Sequence, residues 1–348
     1  MSATTTAEDM TSAATPAPAP QAAVKPARPP EDASGAKDRD GWLEVMEAIG
    51  DEAGYFEPIG NRHWAFFMDE GPQLLVSFET LDEIRARPSQ LPLGHDLAKA
   101  QGWSHLCLIC EGETWYRDKR VYGYFDRLVD DAFFEDFDSV VFMGAGIQGY
   151  AAAAYCVAAP GAHVLLISPR ATQLPDVAGW DRRNPQARRL DFRSRYGFAP
   201  DMVEGAGKVY VLHDPDIAED AMHAALFRGK HVQHFRTPHL GGRLDWAFGH
   251  MQIWGALVEA VEAGSLTRTG FAKIWRARRS FGPYLRGMLA RLGGTGHLKR
   301  EKWLCNGVVS RLNAPTFRKR LNEILADEAA AEATAALAEV AEPAKQGG

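Results

Sequence analysis

A chain of 348 residues that is 46% hydrophobic and 24% charged has material for one large globular domain or two small ones, and this composition excludes a disordered chain. Its net charge of -6 argues against nucleic-acid binding by the chain as a whole. No apolar run approaches the ~18–20 residues of a membrane-spanning helix and the N-terminus lacks a secretory signal pattern, so no membrane partner is expected and the cytoplasm is the expected compartment.

Residues 1–38 are Ala, Pro, Thr and Ser with almost no large apolar side chains. Such a segment buries too little surface to offset its ordering entropy and reads as a disordered extension. From 42 to 264 the pattern alternates. Strands are expected at HWAFFMD, QLLVSF, HLCLIC, SVVFMG, HVLLIS, KVYVLH and HVQHFR. Helical periodicity fills the gaps at LPLGHDLAKAQGW, VYGYFDRLVDDAFF, GYAAAAYCVAA, DIAEDAMHAALF and RLDWAFGHMQIWGALVEAVEAG. Several strands are apolar on both faces, as in parallel sheets covered by helices, so the expected fold is three-layer α/β with a mostly parallel, doubly wound sheet. In such a sheet ligands lie at the carboxyl ends of the strands.

The pair Cys107 and Cys110 forms a C-x-x-C inside HLCLICEG. Residues three apart in a strand point to opposite faces, so the two read as core cysteines, with Cys110 at the strand end keeping some chance of a role. His213, His223, His231 and His234 crowd one region without the spacing of a zinc motif, and no Walker loop occurs. No metal and no cofactor is expected.

After Gly264 the character changes. From Leu266 to Leu321 there are fourteen basic residues against Glu301 alone. Residues 265–328 therefore read as a basic helical subdomain, and 329–348 as an Ala/Glu-rich tail. The basic faces are either solvated or docked against the acidic segment 42–138 or a second subunit, or they form a surface for an acidic partner; nucleic acid is not the first expectation but stays open for 266–321.

The stretch SVVFMGAGIQGYAAAA, from Ser139 to Ala154, carries the central question. Gly144, Gly146 and Gly149 fit G-x-G-x-x-G between a strand and a helix, which reads as a dinucleotide loop. The next strand should then end in an acid for the ribose hydroxyl, but it ends Ser168-Pro169-Arg170. That excludes a simple NAD site and leaves NADP barely open. At least three strands also precede the turn. The other reading is a nucleophile elbow.

On the run FMGAGIQGYAAAAYCVAAPGAHVLLISPRAT, with GWSHLCLICEGETWYRD and YGYFDRLVDD before it, the chain resembles a group of bacterial α/β-hydrolase-like proteins whose elbow reads G-S-S-M-G-G-Y. The resemblance spans about Trp42 to Ala260. It places Gly144 and Tyr150 at matching positions and puts Gly146 where the serine stands, so the usual acyl-enzyme cannot form there. It implies an acid from KVYVLHDPD, Asp214 or Asp216, and His239 from HVQHFRTPHLGG. His239 oriented by Asp214 would activate water, or Ser77, Cys110 or Ser168 would substitute as nucleophile. The oxyanion amides would come from Phe78, in the loop expected over 77–80, and from Ile147. Arg182 and Arg183, in WDRRNPQARRLDFRSRYG, read as anion-binding residues of a lid over the strand ends, so the expected partner is a small or anionic ligand.

Similar alphaproteobacterial proteins sharing GYFDRLVDD, APGA and YGxAPDM segments are sometimes labelled phosphoadenosine phosphosulfate reductase. That implies a nucleotide-dependent oxidoreductase, but no S-G-G-x-D-S occurs here and Cys305 lies in WLCNGV, one residue from the expected neighbour. The expected function is thus a divergent hydrolase-like protein, catalytically silent or altered. A nucleotide oxidoreductase and an interaction protein using the basic helices are the alternatives.

Overall fold

The computed structural model describes residues 32–340. Helix α1 (Arg39–Ala53) begins where the Asp38 carboxylate accepts the Gly41 amide, and it buries Trp42, Met46 and Ile49. It leads directly into β1 (Gly54–Pro58), β2 (His63–Met68) and β3 (Gln73–Thr80). Thr80 caps α2 (Leu81–Arg85), and α3 (Leu93–Gln101) and β4 (Ser104–Cys110) follow. Every residue of β4 is buried, which is the physical meaning of its apolar run from Leu106 to Cys110. Then come α4 (Lys119–Asp130), β5 (Ser139–Ala145), α5 (Gly146–Tyr155) and β6 (His163–Ile167). Two short turns of helix, α6 (Pro175–Ala178) and α7 (Ala199–Met202), punctuate the long segment before β7 (Lys208–His213), α8 (Ala218–Ala224) and β8 (Val232–Arg236).

The eight strands form one sheet in the order β1-β2-β4-β3-β5-β6-β7-β8. Only β2 runs against its neighbours β1 and β4; the rest pair in parallel. Parallel neighbours need crossover connections, and the intervening helices supply them on both faces. One face packs Phe78, Phe142, Leu166 and Val211 against Tyr150 and Tyr155 of α5 and Phe125 of α4. The other packs Leu75, Val141, Leu165 and Leu212 against α9 (Leu244–His250), α10 (Trp254–Glu262) and α11 (Arg268–Ile274). Cys107 and Cys110 lie in different clusters, as strand alternation requires.

Three further helices, α12 (Gly282–Gly294), α13 (Leu298–Val309) and α14 (Pro315–Val340), pack around a small centre of their own made by Leu285, Cys305, Val308 and Phe317. Glu301 is buried beside it and held by Arg320, Nε to Oε1 2.6 Å.

Three details differ from the sequence expectation. Packed chain begins before residue 38, because Ala33 is buried and its amide donates to the Ser89 carbonyl at 2.9 Å; residues 1–31 of the expected extension lie outside those described. Strand β1 was not anticipated, since a short edge strand ending in Glu57-Pro58 carries no alternation. The helix expected over 243–264 is two helices, broken where Gln252 takes a left-handed backbone at φ 55°.

Candidate active site

The turn between β5 and α5 is built by three glycines for different reasons. A Cβ on Gly144 would overlap the Gln148 carbonyl, and one on Gly149 would press the Gly144 carbonyl at 3.1 Å and Pro169 at 3.2 Å. Gly146 is a conformational case: φ is +59°, and a Cβ there would meet nothing within 4 Å. The backbone therefore makes an elbow whose apex residue would project into open space. Behind it, the Arg170 amide donates to the Gly146 carbonyl at 3.0 Å. The Tyr150 hydroxyl closes the site below by bonding the Tyr196 carbonyl at 2.9 Å. The N-cap, Ala145, offers no side-chain acceptor, so the first-turn amides of α5, Ile147 among them, have no side-chain cap.

The acid and the histidine arrive on the loops after β7 and β8. Asp214, fully buried, accepts the Leu240 and Gly241 amides at 2.7 Å each through Oδ2 and the Asp216 amide at 2.9 Å through Oδ1. Its carboxylate is thereby spent on shaping the histidine loop. The side chain that meets His239 is Asp216, with Nδ1 donating to Oδ2 at 2.5 Å. Asp214 does not orient His239 directly, contrary to the first expectation, because its position in the turn aims both oxygens at backbone amides. Asp216 also takes Arg291 of α12 at 3.0 Å. The bond from His239, with help from Arg291, holds its carboxyl below the usual range. His239 has φ +70°, an uncommon backbone for a non-glycine residue.

A buried polar network adjoins the elbow. Asp181 takes Arg183 through both oxygens at 2.9 Å, Arg170 at 2.8 Å and His223 Nε2 at 2.9 Å. The Ala171 amide donates to His223 Nδ1 at 3.1 Å, and Arg183 also reaches Asp220 at 2.5 Å. Burial would raise the Asp181 pKa, but the bonds from His223 and the Arg183 amide outweigh it and lower the carboxyl. Ser168, next to this network and close to Asp220, is a buried residue at φ +44° whose Oγ makes no hydrogen bond of good geometry among the described residues. Its amide extends the ladder to the Leu212 carbonyl at 2.7 Å, which brings it beside His213, whose Nδ1 is buried without a partner among the described residues. Burial pulls the His213 pKa down, with the charges of His234 and Arg236 adding to the effect.

An elbow after β5, an acid loop after β7 and a histidine loop after β8, on a sheet in which only the second strand is reversed, decide the architecture. The fold is α/β-hydrolase-like. No family model matches the chain, and no curated protein matches it by sequence. Distant solved structures resemble it. An esterase from the archaeon Pyrobaculum calidifontis is 13% identical with a TM-score of 0.41, covering 65% of this chain and 91% of that one. Carboxyl esterase 2 of the mycorrhizal fungus Tuber melanosporum is 14% identical at TM-score 0.39, covering 64% and 83%. Brefeldin A esterase, a bacterial homologue of human hormone-sensitive lipase, is 17% identical at TM-score 0.36, covering 73% and 90%.

The other expected site residues fall differently. Phe78 is not in a loop: β3 runs on to Thr80, whose hydroxyl caps α2 at once, and the Phe78 ring is stacked on Tyr155 and Phe125 in the core. Arg183 is committed to Asp181 and Asp220, whereas Arg182 is exposed and makes no ion pair among the described residues. Ser77 is buried under α3, bonded to Glu79 and His105 at 2.9 Å each. Cys110 donates to the Gly112 carbonyl and burial raises its thiol pKa, so neither is a poised nucleophile. Cys305 is buried in the three-helix unit with its pKa also raised by burial, a poor setting for attack on sulfur.

Among the described residues, one trio of metal-ligand type, Glu79, His105 and Cys107, has donor atoms within 4.8 Å. Glu79 already accepts the Leu93 and Gly94 amides at 2.7 and 2.8 Å, so a metal would have to displace bonds that hold the start of α3. No helix among the described residues is long and apolar enough to cross a membrane. The Asp181 network left no trace in the sequence, because its members are scattered from 170 to 223 without periodicity; the positive φ at Ser168 and His239 is likewise invisible there.

Proposed function

We propose that this chain is a divergent α/β-hydrolase-like protein that has lost the elbow serine and binds a small anionic ligand at the strand ends without forming an acyl-enzyme. One observation carries the reading: Gly146 keeps the left-handed elbow backbone and opens onto free space where a nucleophile would stand. An acyl-enzyme at the elbow needs a side chain there to attack, and glycine has none. What remains suits binding. The uncapped first-turn amides of α5 favour an anion, His213 Nδ1 is buried without a partner among the described residues, and Arg182 is exposed and makes no ion pair there.

A second reading, in which His239 activates water directly, is favoured by the bond from its Nδ1 to Asp216, which leaves Nε2 for a proton. Two assays on the wild-type chain separate them. A serine-reactive fluorophosphonate is expected to leave the mass unchanged, and short-chain nitrophenyl esters are expected to be inert. Ester turnover abolished by His239→Asn supports the water mechanism instead. A covalent phosphonate adduct on the wild-type chain overturns both.

A further inference from the structure

The basic C-terminal unit has an ordered surface. Of its fourteen cations, Arg291 is bonded to Asp216, Lys302 to Glu328 and Arg320 to Glu301, while the Arg278 guanidinium lies over Trp275 at 5.2 Å. The other ten are exposed and make no ion pair among the described residues. Glu301, the one acid between 266 and 321, is buried and neutralised from within, so it screens none of them.

Helix α13 organises part of this charge. Cys305 and Val308 face the small core. At 100° per residue, Lys299, Trp303, Asn306 and Ser310 fall on one opposite stripe about 16 Å long, with Arg300 beside it and Arg311 continuing it past the helix end. Lys299, Arg300, Asn306, Ser310 and Arg311 are exposed, and Trp303 is 72% exposed. A solvent-facing indole costs hydration free energy, and no packing partner among the described residues explains it.

We propose that this face of α13 binds single-stranded nucleic acid, with Lys299, Arg300 and Arg311 on phosphates and Trp303 stacked on a base. A lone indole among cations and short hydrogen-bonding side chains is the chemistry of base stacking joined to phosphate neutralisation. A lipid surface fits less well. Insertion would bury Asn306 and Ser310 on the same stripe, and Leu298, 52% exposed, lies about 100° off it. The inference is independent of the reading of the elbow.

The test uses the full chain and a labelled oligouridylate of about 20 nucleotides, with anisotropy read from low to physiological salt. Three phosphate contacts predict a slope of log K against log salt of about -2 or steeper. Lys299→Gln with Arg300→Gln should reduce that slope by about 1.4. Trp303→Ala should weaken binding by roughly 5- to 100-fold and leave the slope unchanged, because stacking releases no counterions. All three positions are on the surface, so the variants should keep the wild-type unfolding transition. No binding at low salt, or a slope indifferent to the paired substitution, overturns the proposal. So does retention on anionic phosphatidylserine vesicles without oligonucleotide binding, or a Trp303-dependent dimer in place of either.

Discussion

Replacing Asp214 by alanine should damage the protein more than replacing the aspartate that touches His239. Asp214 accepts three backbone amides, those of Leu240, Gly241 and Asp216, from a fully buried position. Bonds to a charged acceptor contribute about 1.5–3 kcal/mol each, and part of that returns when water reaches the loop, so Asp214→Ala should cost about 3–5 kcal/mol. With an unfolding entropy of about 2.1 cal/mol/K per residue over roughly 300 ordered residues, the midpoint should fall by about 5–8 °C. Asp216 is 35% exposed at its side chain, and Asp216→Ala should cost less than about 1 kcal/mol. Calorimetry gives the midpoints, and hydrogen exchange at Leu240 and Gly241 reports the loop itself. Faster exchange at both amides is expected in Asp214→Ala and not in Asp216→Ala. If Asp216→Ala is the more destabilising, or if both amides stay protected without Asp214, the division of labour between the two acids is wrong.

Acid should weaken the fold before the carboxylates titrate. Burial pushes the His63 pKa down to about 4 and lowers those of His95, His105 and His213, so the unfolded chain binds more protons than the folded one below pH 6.5. Stability should therefore fall as pH drops from about 6.5 towards 4. His63 alone should account for about 2 kcal/mol between pH 8 and pH 5, and His63→Gln should remove that share in urea titrations. Gly94→Ala should be severely destabilising, since its Cβ would overlap His105 and Ser77. Gly123→Ala, exposed within α4 with nothing within 4 Å, should stabilise by about 0.5–1 kcal/mol in the same titration.

The central sheet was legible because β3 to β7 are apolar on both faces, a pattern that amphipathic helices do not produce. The elbow was legible from Gly144 to Tyr150, yet its spacing alone equally fitted a phosphate loop. The missing acid at Ser168-Pro169-Arg170 and the strands that precede β5 favour the elbow. Which of two aspartates meets His239 turned on turn geometry: Asp214 folds back on amides two and more residues away, while Asp216 clears the turn. Residue types in D-P-D carry no record of that. Phe78 was misplaced because the end of β3 is set by a Thr80 cap. Arg183 was misread as free for a ligand because Asp220, 37 residues away, reaches it only through tertiary structure, and because residue types in D-R-R do not show that Asp181, two residues back, turns onto it.

The proposal that Gly146 stands where a nucleophile would is tested most directly by Gly146→Ser, treated with a fluorophosphonate and read by intact mass. The left-handed backbone should cost the serine about 1–2 kcal/mol, which a folded core of this size tolerates. A single adduct on Ser introduced at 146, absent from wild type and abolished when His239→Asn is added, is the predicted result. A well-folded Gly146→Ser chain that takes up no phosphonate would show that the elbow, His239 and Asp216 do not form one site.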